Sequence, residues 1–169
     1  MEMTFKPSLK STPDRKKWLL LLLNLHGRAG KTGEPIEGTT KLMKELFILT
    51  KYLEKHNIDT GFEFAPGRFG PVDGALYPTI NELSRDGLIG IIDKVVTPGY
   101  ETREYRITKL GMDEIKKEVE DMGPLERRIL FGVKSRFNQM SLNSILNIVY
   151  NEYSSYVTKS EIKDKVLEP

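Results

Sequence analysis

The chain carries few residue patterns suited to covalent chemistry and many charged side chains suited to contact. Gly30-Lys31-Thr32 matches the end of a phosphate-cradling loop, G-x-x-x-x-G-K-[ST]. Position 25 is Leu25 where that pattern needs glycine, and the segment follows a helical pattern instead of a strand. A plain glycine-rich connection accounts for it. His26 and His56 are the only histidines, and neither has a second histidine or a carboxylate at ligand spacing on one helix face. No G-x-S-x-G turn offers a serine nucleophile, and Asp113, Glu114, Glu118 and Glu120 read as a solvated helix surface. The expectation is a non-enzyme with no cofactor and no metal.

Charge is the remaining chemistry. Lys and Arg number 26 against 24 Asp and Glu, a net +2 that says little about nucleic acid by itself. Its distribution is more informative, since residues 1 to 60 hold 11 basic and 7 acidic groups, +4, which leaves −2 for the rest. Lys41, Lys44, Lys51 and Lys55 fall within a roughly 80° arc when placed at 100° per residue, beside a core face of Leu42, Met43, Leu46, Leu49 and Leu53. Such a stripe is either a solvated helix face or a set of phosphate contacts. Further along, Arg68, Lys94, Arg103 and Arg106 are basic, and Asn81 and Arg85 have the side chains that read base edges. Asp73, Glu82 and Asp86 lie beside them, so that surface is close to neutral and suits a protein partner as well. Phe62, Phe64 and Phe69 bracket Ala65-Pro66-Gly67-Arg68, where core filling is favoured over base stacking.

The elements that must position these residues follow from periodicity and punctuation. Thr12-Pro13-Asp14 opens a helix that Gly27 ends, its leucine run marking it as a core helix. Pro35-Ile36-Glu37 suits a short strand, and a second helix is expected from about Thr40 to His56, capped by Thr39 or Thr40. Gly70-Pro71 and Asp73 signal a third helix bearing Leu76, Ile80 and Leu83, stopped at Asp86-Gly87. Pro78 predicts an irregular first turn in it. Leu88 to Val96, the turn Thr97-Pro98-Gly99, and Glu101 to Ile107 then make a hairpin, after which Thr108 caps a helix to Met122. Gly123-Pro124 breaks that helix. Helices from Pro124 to Met140 and from Ser141 follow, the last presenting Leu142, Ile145, Leu146, Val149, Tyr150 and Tyr153.

Helix, hairpin and helix in that order predict a mostly α fold with a small β-hairpin, a winged helix-turn-helix with a C-terminal helical extension. The expected units are a tail over 1–11, the winged domain over 12–122, C-terminal helices over 123–157 and a tail over 158–169. The winged arrangement presents its helix to the DNA major groove and its hairpin to the backbone. That makes Lys41, Lys44, Arg68, Asn81, Arg85, Lys94 and Arg103 the expected contacts to double-stranded DNA. The wide stripe of Leu142, Ile145, Leu146, Val149 and Tyr153 must be buried either on the winged domain or on a second subunit, and a homodimer through it is expected. Zero cysteines fit a reducing compartment, and the longest apolar run, Trp18 to Leu23, falls far below the roughly 18–20 residues a membrane span needs. A cytoplasmic location without membrane contact is expected.

Several motifs also resemble a family. Ile36-x-Gly38-x-Thr40-Lys41-Leu42-x-Lys44-x-Leu46-Phe47-x-Leu49, then Phe69-Gly70-Pro71, then Leu83-x-x-Asp86-Gly87-Leu88-Ile89, resemble the winged-helix proteins related to the Panacea, or SocA-like antitoxin, domain. Val133-Lys134-x-x-Phe137-Asn138, with Leu142 and Val149-Tyr150-x-x-Tyr153, fits the same pattern, so the similarity spans about residues 15 to 156. Tyr105-Arg106-Ile107-Thr108-x-x-Gly111 is similar to the hairpin exit of PadR-type and MarR-type regulators. The resemblance implies a winged-helix scaffold used in regulation or antitoxin-like binding, and no catalytic residue. The function expected first is a homodimeric DNA-binding transcriptional regulator, and the alternative is a protein-interaction module of antitoxin or adaptor type.

Overall fold

A computed structural model describes residues 14–27 and 30–160. It is a mixture of helices with a small antiparallel sheet, in the order α1 (Arg15–Asn24), β1 (Ile36–Glu37), α2 (Thr39–Glu54), β2 (Ala65–Gly67), β3 (Gly70–Val72), α3 (Leu76–Arg85), β4 (Ile89–Thr97), β5 (Tyr100–Ile107), α4 (Lys109–Glu114), α5 (Lys116–Asp121), α6 (Pro124–Phe137) and α7 (Leu142–Glu152), closed by a 3-10 turn at Ser154–Tyr156.

Helix α1 begins where the Asp14 carboxylate accepts the Lys17 amide, so Asp14 is the N-cap; Thr12 and Pro13 lie outside the described residues. Its Trp18–Leu23 run is buried on every side. Helix α2 starts one residue earlier than expected, with Gly38 as N-cap at φ 99°, a left-handed value that a side chain would strain. Neither threonine caps it, because the Thr39 hydroxyl is held by the Tyr105 hydroxyl at 2.6 Å. That bond ties the start of α2 to β5, beside the pairing of Ile36 with Tyr105 that forms the expected short strand.

The region between α2 and α3 differs from expectation. Gly70-Pro71 does not start a helix but forms β3, paired with β2 in a small hairpin through Ala65–Val72, Pro66–Pro71 and Gly67–Gly70. The start signal is Asp73 alone, whose carboxylate accepts the Ala75 and Glu63 amides. Pro78 then falls in the first turn of α3, where no amide is required. Leu76, Thr79, Ile80 and Leu83 supply the buried stripe of α3. Gly87 at φ 75° ends it, with the Leu88 amide donating back to the Leu83 carbonyl at 2.9 Å.

Strands β4 and β5 form the long hairpin across a turn at Thr97–Tyr100, in the sheet order β1-β5-β4, so β4 is an edge strand among the described residues. Thr108 caps α4, accepting the Gly111 amide at 3.0 Å while donating to the Gly87 carbonyl. The helix expected to run to Met122 breaks at Ile115, whose φ −101° and ψ 9° interrupt the hydrogen-bond ladder and whose side chain turns into the core. Helix α6 ends at Phe137, short of Met140, and Ser141 caps α7 as expected.

The core is a single cluster. Leu130, Val133 and Phe137 of α6 and Ile145, Leu146 and Val149 of α7 join Leu42, Leu46 and Leu49 of α2 and the leucines of α1 in it. The C-terminal helices, expected to pack either on the winged domain or on a second subunit, thus share the core of the preceding elements. Phe62 is buried and Phe64 meets Phe47 edge-on at 5.3 Å, as core filling requires, but Phe69 is 47% exposed and does not fill the core, which corrects the expectation for that residue. No described helix is long and apolar enough to cross a membrane.

Candidate interaction surface

The charged residues expected to meet phosphates are brought together less than their sequence positions suggest. Lys44 is 2% exposed and its ammonium donates to the Pro71 carbonyl at 2.8 Å, holding β3 against α2. It does not reach a surface, which corrects the phosphate-contact assignment. The physical reason is that α2 is packed by α6, α7 and β3, so Leu42 to Thr50 are buried without interruption and no polar stripe survives. Burial lowers the Lys44 pKa to about 8. Lys41 is half-buried and donates to the Asn138 carbonyl at the end of α6. Lys51 meets Glu54 and the Tyr156 hydroxyl; burial alone lowers its pKa, but these two bonds outweigh it and hold the ammonium above its ordinary value.

Helix α3 exposes Asn81 and Arg85, and Arg85 lies 3.6 Å from the neighbouring Asp86 carboxylate. One turn earlier Glu82 pairs with Lys16 of α1 at 2.9 Å, the hydrogen bond and the opposite charge raising the lysine and lowering the carboxyl. On the hairpin, Arg103 faces Asp93 at 3.2 Å across a register pair. Lys94 and Arg106 both grip the buried Glu104 carboxylate, at 3.0 and 2.6 Å. Burial pushes the Glu104 pKa up, yet those two donors overcome it and keep the carboxyl below its ordinary value. Arg68 stands exposed at the tip of the small hairpin, its guanidinium 5.7 Å from the Phe69 ring. Every cation of the long hairpin therefore faces a carboxylate of the same hairpin.

What the distal hairpin exposes instead is apolar. Val95 is 69% exposed, Tyr100 59%, and Val96 and Ile92 are also open. Sequence reasoning missed this patch because a run of β-branched residues signals a strand without saying which faces are covered. The available signal was the Val95-Val96 pair beside a turn: adjacent strand residues point to opposite faces, and a hairpin tip has no layer to cover both. Between this hairpin and the body lies a groove of about 660 Å3, lined by Val96 and Tyr100 on one wall, the start of α2 on another, and Met140 and Leu142 of the α6–α7 turn on a third.

The stripe expected to form a dimer lies elsewhere. Ile145, Leu146 and Val149 are buried within the one chain, and Tyr153 packs edge-on against Phe47 at 5.0 Å. Only Leu142 remains open, at the mouth of the groove. The stripe faces inward because it packs on α2, whose residues Leu42 to Thr50 are buried all round, Lys44 and Glu45 among them.

The glycine-rich segment adopts a turn, with Gly30 and Gly33 at φ 77° and 76°. His26 packs against Phe131 with ring centres 5.0 Å apart and the ring planes tilted by 59°. Among the described residues no group of three or more His, Cys, Asp or Glu side chains is placed to hold a metal ion. Comparison of the sequence with family models and with curated proteins finds no match.

Proposed function

We propose that the chain is a protein-interaction module of antitoxin or adaptor type on a winged-helix scaffold, with α3 in the helix position and β4–β5 as the wing. The observation that carries this reading is the composition of the wing. Its cations are matched by carboxylates on the same strands, and its tip offers Val95, Val96 and Tyr100 to solvent. A wing that tracks a phosphate backbone needs uncompensated positive charge. An exposed apolar tip beside a groove suits a protein surface, where aromatic and aliphatic anchors supply most of the affinity.

Variant-sensitive capture tests it. A partner retained by the wild type should be lost by Val96→Lys with Tyr100→Lys and kept by Lys109→Ala, with all three proteins melting alike. The second reading, a homodimeric DNA-binding regulator, has the exposed Asn81 and Arg85 of α3 in its favour. It predicts binding that weakens with salt by about 0.9 log units per phosphate contact, and a changed sequence preference on replacing Asn81 or Arg85. Salt-dependent affinity for DNA, undisturbed by the tip variant, overturns the interaction reading.

A further inference from the structure

We propose that the solvent face of α6 is a docking surface for an acidic amphipathic helix of a partner protein. Glu126, Leu130, Val133, Lys134 and Phe137 turn into the molecule. The opposite face exposes Arg127, Arg128 and Arg136, and the helix has no exposed carboxylate. Among the described residues no carboxylate lies within ion-pair distance of any of these arginines. Arg127 gives one N–H to the Val119 carbonyl at 2.9 Å, and the Arg136 guanidinium lies 4.9 Å from the Phe137 ring centre. A carbonyl and a ring do not neutralise a guanidinium. The cations of the long hairpin each face a carboxylate, whereas those of α6 have the charge and the fork geometry to take one from outside.

Gly132 sets the shape of the partner. It lies within α6 on the exposed face, and a Cβ built there would meet nothing within 4 Å. Glycine inside a helix is disfavoured relative to alanine, and neither the space around Gly132 nor its helical backbone calls for one. The missing side chain instead lets a second backbone come close. Leu125, Arg128 and Gly132 stand at i, i+3 and i+7, the spacing of a helix-packing seam. Leu125 is 39% exposed and Phe131 43%, so apolar contact is on offer along the same face. A phosphate chain tracking the arginines has no use for the glycine or the leucine. A helix with an apolar stripe flanked by carboxylates uses all of them. The surface lies on a different element from the wing tip, so it gives the interaction module a second face and does not depend on the first.

Fluorescence anisotropy of a labelled peptide tests this. The probe is three Leu-Glu-Ala-Ala-Leu-Glu-Glu heptads, compared with the same peptide bearing Lys for Glu. The intact chain should bind the acidic peptide saturably in the micromolar range and the basic one about tenfold more weakly. Arg128→Glu with Arg136→Glu should weaken the acidic peptide by about tenfold, and Lys109→Ala should leave it unchanged. Gly132→Ala separates docking from a structural role. It should raise the thermal midpoint by about 2–4 °C, the gain of a better helix former, and still weaken the acidic peptide by about fivefold. No saturable binding by wild type overturns the proposal, as does equal affinity for the two peptides or unchanged affinity in either folded variant. A midpoint that fails to rise in Gly132→Ala would show that the chain itself needs the glycine. Tighter binding of an oligothymidylate of about twenty nucleotides would assign the arginines to nucleic acid. Either result also overturns it. The wing reading is tested at Val96 and Tyr100, which this experiment leaves untouched, so each can fail alone.

Discussion

Three charged side chains in the core, Lys44, Glu45 and Lys134, are 2%, 0% and 0% exposed. Burial of an ionised group costs several kcal/mol unless partners replace water. The two lysines find them: Lys44 on the Pro71 carbonyl, Lys134 on the Leu22 carbonyl at 2.8 Å, where it caps the end of α1. Neither carboxylate oxygen of Glu45 has a hydrogen-bond partner among the described residues. Its pKa rises to about 8 because burial disfavours the anion, with Lys134 and Lys41 opposing and Glu34 adding to the rise. Lys134 falls to about 8, again through burial, with Glu45 and Glu34 pulling the other way. For Glu45 the folded value exceeds the unfolded one, so its contribution is fully present below about pH 4.5 and is lost as pH rises toward 8. For Lys134 the folded value lies below the unfolded one, so its contribution is present above about pH 10.5 and is lost as pH falls through 8. Both are weakest near pH 8. Denaturant unfolding of wild type and Glu45→Gln at about pH 5 and about pH 8 should show a stability difference that moves in favour of the variant on going up, by on the order of 1–3 kcal/mol. A difference independent of pH would mean that Glu45 titrates in the fold as it does in the unfolded chain.

At the joint between α3, the long hairpin and α4 the backbones themselves come close. A Cβ built on Gly111 would lie 2.1 Å from the Leu88 carbonyl oxygen and 2.7 Å from Ile107 Cγ1, so the backbones meet where only glycine fits. Gly111→Ala should therefore cost about 1–3 kcal/mol in urea unfolding with an unchanged slope, despite the better helix propensity of alanine. A neutral or stabilising result would show that α4 can slide off Leu88. This joint was legible beforehand, because Thr108 before a helix and Thr97-Pro98-Gly99 between alternating runs are local signals that tertiary packing did not contest. The β2–β3 hairpin was not. Gly70-Pro71 reads equally as a helix start, and the choice was made by Lys44, far away in sequence, whose ammonium claims the Pro71 carbonyl. The edge strand β4 carries Asp93 and Lys94 at its centre, charges that discourage an added strand. Partner contact by the apolar side chains of the tip should thus tolerate backbone changes at the edge. N-methylation of an outward-facing β4 amide, introduced by semisynthesis, should leave partner capture within about twofold, whereas Val96→Lys with Tyr100→Lys should remove it.

For the molecule as a whole, the question is where the apolar surface of α7 is spent. Its periodicity was visible in the sequence, but amphipathic spacing only demands a cover and does not say whether the cover is the same chain or another. The answer depended on α2, whose Lys41, Lys44, Lys51 and Lys55 made it look partly solvent-facing when in fact α6, α7 and β3 pack against it and bury Lys44. Ile145 and Val149, both fully buried, contact the same core as Leu46 and Phe47. A charge placed there should consequently unfold the molecule instead of separating two copies. Ile145→Asp introduces an uncompensated carboxylate and removes most of a buried side chain, changes that each cost about 2–5 kcal/mol, comparable with the total stability of a domain this size. Circular dichroism should show loss of helix in one transition shared by α1 through α7, and light scattering should show no folded species of half the wild-type mass. A variant that keeps its helices while changing only its oligomeric mass would place the α7 stripe between subunits and restore the dimer expected from the sequence.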